Sequence, residues 1–176
     1  MTLRAAINKG LLTVMEDDER VVLIGQSIRD PFGGACKVTR GLTKRFDSRV
    51  IDLPISEDAT IGMSIGMATA GAVPVVEVMF SDFMTLAVNQ IWNVADKIEM
   101  QSPVVIRTLF NAGEAYGPTH SQDMYALLRI LPSASVQYVN PAKSVSAQYR
   151  ELILGDGAKV RIMVEDKQAY DKEAVA

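Results

Sequence analysis

The sequence predicts an α/β protein, a doubly wound, three-layer parallel sheet with helices on both faces. Three observations carry this. Extended segments such as Val21-Val22-Leu23-Ile24 are apolar throughout rather than alternating, the pattern of strands buried on both faces. Segments with helical spacing separate them, and regular strand–helix alternation implies parallel strands joined by crossover helices. With 176 residues, 48% of them hydrophobic, the chain can bury one core of its own and is too short for two ordinary domains.

The elements follow in order. Leu3, Ile7, Leu11, Leu12 and Met15 recur at helical spacing over residues 2–16. Residues 21–24 form a short buried strand closed by Gly25. Val50 and Ile51 offer a second strand, and an uncharged helix runs from about 59 to 70, where Gly71 and Pro74 stop it. Residues 75–80 read as a strand, 84–98 as an amphipathic helix and 103–106 as the next strand. A loop rich in glycine and polar residues spans 111–122. Helix 124–130, strand 136–139, helix 142–154 and strand 160–164 complete the alternation. The domain is expected over 1–165, with residues 166–176 as an exposed polar tail.

Composition narrows the function. A net charge of −3 gives no field that gathers nucleic acid. Cys36 is the single cysteine, so neither an intramolecular disulfide nor a thiolate-built metal site is expected. Residues 59–76 are uncharged, at the edge of a spanning length. Gly62, Gly66, Gly71 and Pro74 interrupt them, and a helix, a turn and a buried strand explain them better than a membrane segment. The run Glu16-Asp17-Asp18-Glu19 behind Arg4 and Lys9 is unlike a signal peptide. The expected setting is the cytoplasm, or an organelle matrix for a mature imported chain.

In sheets of this type ligands sit beyond the carboxyl ends of the strands. The loops after Ile51, Phe80 and Ile106 all carry unusual residues. Asp52-Leu53-Pro54-Ile55-Ser56-Glu57 ends a strand and opens a helix, where a carboxylate is ordinarily a cap. Glu77-Val78-Met79-Phe80-Ser81-Asp82-Phe83 runs from strand to loop with two aromatics, for which core packing is the ordinary role. Tyr116-Gly117-Pro118-Thr119-His120-Ser121-Gln122 holds the one histidine. Taken singly, none of these residues establishes a site.

Together these segments resemble the pyrimidine-binding domain of the transketolase-like thiamine-diphosphate enzymes. The nearest likeness is to the β subunit of the decarboxylating component of pyruvate and branched-chain 2-oxo-acid dehydrogenases. The resemblance covers nearly the whole chain. It includes Gly33-Gly34-Ala35-Cys36-Lys37-Val38-Thr39-Arg40-Gly41-Leu42, Arg49-Val50-Ile51-Asp52-Leu53-Pro54-Ile55-Ser56-Glu57, Gly71-Ala72-Val73-Pro74-Val75-Val76-Glu77 and Gly117-Pro118-Thr119-His120-Ser121-Gln122.

The resemblance implies roles. Thiamine diphosphate reacts through C2 of its thiazolium ring, deprotonated by its own aminopyrimidine in the imino form. A carboxylate bonded to the ring nitrogen N1′ favours that form, and the resemblance assigns this to Glu57. Phe83 would give the pyrimidine an aromatic face, with Met79 and Ile55 lining the pocket. His120 matches the family histidine associated with acyl transfer, and imidazole suits proton work near neutral pH. The resemblance further implies an α-type partner subunit bearing the diphosphate–Mg²⁺ motif, in an α2β2 heterotetramer. The acyl unit would pass to a lipoyl acyltransferase. Alternatives are a split transketolase-like synthase with a non-lipoyl acceptor, or a relic that keeps the fold without catalysis.

The sequence also departs from the family. Members continue for about another domain's length, which leaves three alternatives: a split protein with that domain on a separate partner, a truncated gene, or a fragment. The connection from 97 to 104 is short, and Asn111-Ala112-Gly113-Glu114-Ala115 replaces an arginine-rich stretch. Gly155-Asp156-Gly157 imitates the start of the diphosphate motif but lacks its later asparagine, and reads as a turn. Gly62, Gly66 and Gly71 lack the paired spacing of a dinucleotide fingerprint and suit close helix packing.

Overall fold

A computed structural model describes residues 1–111, 113 and 116–176. Six parallel strands form one sheet: β1 (Val21–Gly25), β2 (Val50–Asp52), β3 (Val73–Val78), β4 (Val104–Phe110), β5 (Ala134–Tyr138) and β6 (Val160–Asp166), in the order β2-β1-β3-β4-β6-β5. The doubly wound α/β architecture expected from the apolar strand pattern is the one adopted. From β1 the chain steps to one side for β2, then crosses back to β3 on the other. The carboxyl ends of β1 and β3 therefore flank a topological switch point, where open sheets of this class bind ligands.

Helices cover both faces. Helix α1 (Leu3–Asp17) buries Leu3, Ile7, Leu11 and Val14 against the sheet, and the Thr2 hydroxyl caps its amino end by accepting from Ala5 N. Such a cap is worth about 1 kcal/mol. A short helix α2 (Leu42–Phe46) precedes β2, and helix α3 (Glu57–Thr69) follows it. Helix α4 (Met84–Asn89) widens into a π-helical turn over Gln90–Ala95, so the single regular helix expected over 84–98 is divided. Ile91 and Ala95 still reach the core. The short helix α5 (Tyr125–Leu128) precedes β5, and α6 (Val145–Leu154) precedes β6.

Alternate strand residues feed two cores. Leu23, Val75, Val105 and Met163 pack with α1 and α6. Val76, Val78, Ile106 and Ile162 pack with α3, α4 and the π turn. This two-sided burial is why the strands read as uninterrupted apolar runs.

The residues expected to form an exposed polar tail have their backbone docked on the domain. After β6, Tyr170 is 2% exposed, Thr2 bridges to Glu173, Leu3 N bonds Lys172 O, and Val145 N bonds Val175 O. Asp171, Lys172 and Glu173 face solvent. Their backbone, however, is pinned to the amino ends of α1 and α6. Gly155-Asp156-Gly157 lies in the turn from α6 to β6, at the strand end opposite the candidate site. No helix is long and apolar enough to cross a membrane among the described residues.

One polar cluster lies within the α1/α6 face. Arg107 of β4 is 3% exposed and donates Nε and Nη2 to Glu165 of β6 at 2.9 and 2.8 Å, and Nη1 to Glu77 of β3 at 2.6 Å. The hydroxyls of Tyr149 and Tyr170 donate to the two oxygens of Glu165. Burial raises both phenols well above their usual range, and the Glu165 charge raises them further. Gly34, at φ 79°, sits so close that a Cβ there would lie 2.8 Å from Glu77 Oε1. That contact seats the glycine pair of the 33–42 segment on the cluster, and the left-handed backbone suits glycine.

Candidate functional site

Glu57 is the first residue of α3. Strand β2 ends at Asp52, and Leu53 N bonds Gly25 O at 2.9 Å, which fixes the entry of this loop beside the end of β1. Glu57 is 6% exposed. Among the described residues its carboxylate accepts one hydrogen bond, from Gln26 Nε2 to Oε1 at 3.1 Å. No helix N–H bonds it among the described residues, and it lies in the first turn of α3, where its charge favours the helix dipole. Oε2 has no protein partner among the described residues and is not closed off from solvent, so it is open to an incoming donor.

Phe83 and His120 come together from different loops. Their rings lie 5.0 Å apart at 87°, and Phe80 joins them at 5.2 Å from His120 and 6.1 Å from Phe83. Tyr116 extends the group, 5.9 Å from Phe80. Edge-to-face pairs of this kind contribute about 0.5–1.5 kcal/mol beyond area burial. The loop bearing His120 is held by the β3 loop. Ser81 Oγ donates to Gln122 O at 2.6 Å, and Gln122 Nε2 donates to Asp82 Oδ1 at 2.9 Å. Ser81 is 0% and Asp82 7% exposed, so the β3 side of this clasp is buried while Gln122 lies at the surface. The Thr119 hydroxyl lies 2.8 Å from His120 Nδ1.

The remaining expected residues are placed differently. Met79 lines a cavity of about 10 Å³ beside Glu77 and Arg107. Ile55 is 82% exposed. Of the stretch Asn111-Ala112-Gly113-Glu114-Ala115, residues Ala112, Glu114 and Ala115 lie outside the described residues. Sequence reasoning passed over Gln26, which follows the buried run 21–24 and Gly25. The rule that ligands gather at strand ends could have found it, since it applies to β1 as well as to its neighbours.

Chemically, the arrangement offers a buried carboxylate with one open oxygen, an aromatic wall and an imidazole, all at the carboxyl edge of the sheet. A thiazolium–pyrimidine cofactor fits that donor set. The open oxygen can receive a ring nitrogen, and Phe83 offers a ring face or edge. No cluster of three or more His, Cys, Asp or Glu that could hold a metal exists among the described residues.

Comparison with known proteins identifies the family. The family model described as "Transketolase, pyrimidine binding domain" matches residues 1–172. The β subunit of acetoin:2,6-dichlorophenolindophenol oxidoreductase from Cupriavidus necator is 34% identical over 77% of this chain and 45% of its own length. The mitochondrial pyruvate dehydrogenase E1 component subunit beta of Rattus norvegicus is 37% identical over 84% of this chain and 42% of its own. A solved structure titled "Split gene transketolase, inactive beta4 tetramer" superposes with a TM-score of 0.72 at 22% identity, over 92% of this chain and 50% of that one. The last likeness shows the fold alone. The chain spans about half the length of the curated relatives it matches.

Proposed function

The chain belongs to the transketolase-type pyrimidine-binding family, and on that premise we propose that it supplies the pyrimidine half of a thiamine-diphosphate site. The other half would come from an α-type subunit that holds the diphosphate and its Mg²⁺. The joint site would decarboxylate a 2-oxo acid and pass on the acyl unit. The observation that carries this reading is Glu57, buried at the start of α3 with one oxygen held by Gln26 and the other open.

When bound, thiamine diphosphate supplies a nucleophilic carbon that attacks the oxo group. The residues of this chain do the rest of their half. Glu57 Oε2 would hold the pyrimidine ring nitrogen and stabilise the tautomer in which the ring's exocyclic nitrogen can take a proton. Once a partner covers this edge, that bond would strengthen, because water would no longer compete for the carboxylate. Phe83 would bear against the ring, and Ile55, exposed in the single chain, would be covered by cofactor or partner. His120, in contact with Phe80, Phe83 and Thr119, would move a proton during transfer of the acyl unit.

The test is Glu57→Gln in the assembled enzyme. The amide keeps shape and a hydrogen bond while removing the anion, so exchange of the cofactor C2 proton should slow by about 10²- to 10⁴-fold with fold and partner contacts kept. A residue with only a capping role would cost about 1 kcal/mol of stability and leave exchange alone. Normal exchange beside a lowered melting temperature would overturn the assignment.

A further inference from the structure

We infer that Gln26 is the positioning residue for Glu57, clamping one carboxylate oxygen so that the other is presented to the cofactor ring. The inference rests on the thiamine-diphosphate reading of Glu57 and deepens it. Gln26 follows β1 directly, and its backbone is fixed by the pairing of Gly25 with Asp52 and by the bond from Leu53 N to Gly25 O. Its amide nitrogen stands 3.1 Å from Glu57 Oε1. A carboxylate accepts and does not donate, so the amide must turn its N–H₂ end toward it. That choice fixes which end of the Gln26 amide faces Glu57.

The chemistry of the residue type matters as much as its place. An acid at position 26 would face Glu57 across hydrogen-bond distance and share a proton with it. A glutamine donates without ever taking a proton, so the anion on Glu57 stays available to the ring nitrogen. The bond also removes rotamer freedom that a solitary glutamate at a helix start would keep. Nothing else among the described residues bonds the Glu57 side chain, so the task falls to Gln26 alone.

The experiment is a double-mutant cycle with Gln26→Met and Glu57→Gln, in complex with the diphosphate-binding subunit, thiamine diphosphate and Mg²⁺. Methionine keeps the length and bulk of the side chain and removes the donor. A hydrogen bond to a charged group corresponds to about ten- to a hundredfold in rate, so Gln26→Met should slow C2 proton exchange by that factor. Cofactor affinity and melting temperature should change little. In the Glu57→Gln background, Gln26→Met should add nothing, because the group it positions is gone.

Additive losses, or full exchange in Gln26→Met while Glu57→Gln is slow, would overturn the positioning role and leave the role of Glu57 standing. Normal exchange in Glu57→Gln would overturn both. A second readout needs no cofactor. The side-chain amide resonances of Gln26 in the full chain should shift when Glu57 is replaced by alanine, and unchanged resonances would refute the contact itself.

Discussion

Replacing Arg107 by methionine should destabilise the chain more than any single change near the candidate site. The guanidinium is 3% exposed and makes three charge-assisted bonds, two to Glu165 and one to Glu77. Methionine fills much of the volume but leaves two carboxylates facing each other inside the protein. Removing one partner of a buried pair costs about 3–5 kcal/mol, chiefly through the charge left behind. With two carboxylates abandoned here, the upper end of that range is expected. A domain of ordinary stability holds about 5–15 kcal/mol, so the variant should be weakened severely or unfolded at neutral pH. Urea denaturation at pH 7 and at pH 5 measures this. Burial already raises Glu77 against the opposing pull of Arg107, so without Arg107 a carboxylate should take up a proton readily as pH falls. The deficit relative to the parent should therefore shrink at pH 5, and Arg107→Met/Glu165→Gln should recover part of it at pH 7. A deficit below about 1 kcal/mol, or one that does not respond to pH, would refute the account of the cluster.

Other expectations follow from the same geometry. Because half of the proposed cofactor site belongs to another subunit, calorimetry should find weak or no binding of thiamine diphosphate by the chain alone, and tight binding with turnover would sink the split-site reading. His120→Ala should slow acylation of the acceptor more than decarboxylation followed with an artificial electron acceptor, and equal losses would point to a structural or substrate-binding role. Tyr149 and Tyr170 have folded-state values well above the ordinary 10.0, so they stay protonated when the unfolded chain has ionised. Their contribution is present below pH 10 and is lost as pH rises through the folded values. Urea melts above pH 10 should show stability falling, with a shallower slope in Tyr149→Phe/Tyr170→Phe.

The parts of the fold legible in the sequence are those where one physical rule acts alone. Strands β1, β3, β4 and β6 are buried on both faces, so apolar runs announce them. Helix α1 is amphipathic and capped, and its limits match the reading closely. The 26–49 region was legible only as a family motif. It has little periodicity, and its order comes from distant polar contacts such as Arg29 with Asp47 and Val50 and Thr39 with Ile28. Tail docking was hidden for a similar reason. Backbone bonds to α1 and α6 hold it, and backbone groups are the same in every sequence.

The site shows the same division, and it bears on what the chain can do unaided. Glu57, Ser81 and Asp82 are buried, so their geometry is set by folding and should not await a ligand. Ile55 at 82% exposure and Tyr116 at 49% border the same edge and face solvent in the single chain. Electrostatic assistance is strong only where water is excluded, and an edge open on one side does not exclude it. The buried carboxylate is therefore pre-organised while its surroundings are not. On the proposed reading, the partner subunit contributes more than diphosphate binding. By covering Ile55 and Tyr116 it would dry the side of the pocket that this chain leaves open, and only then would the anion at Glu57 act at full strength.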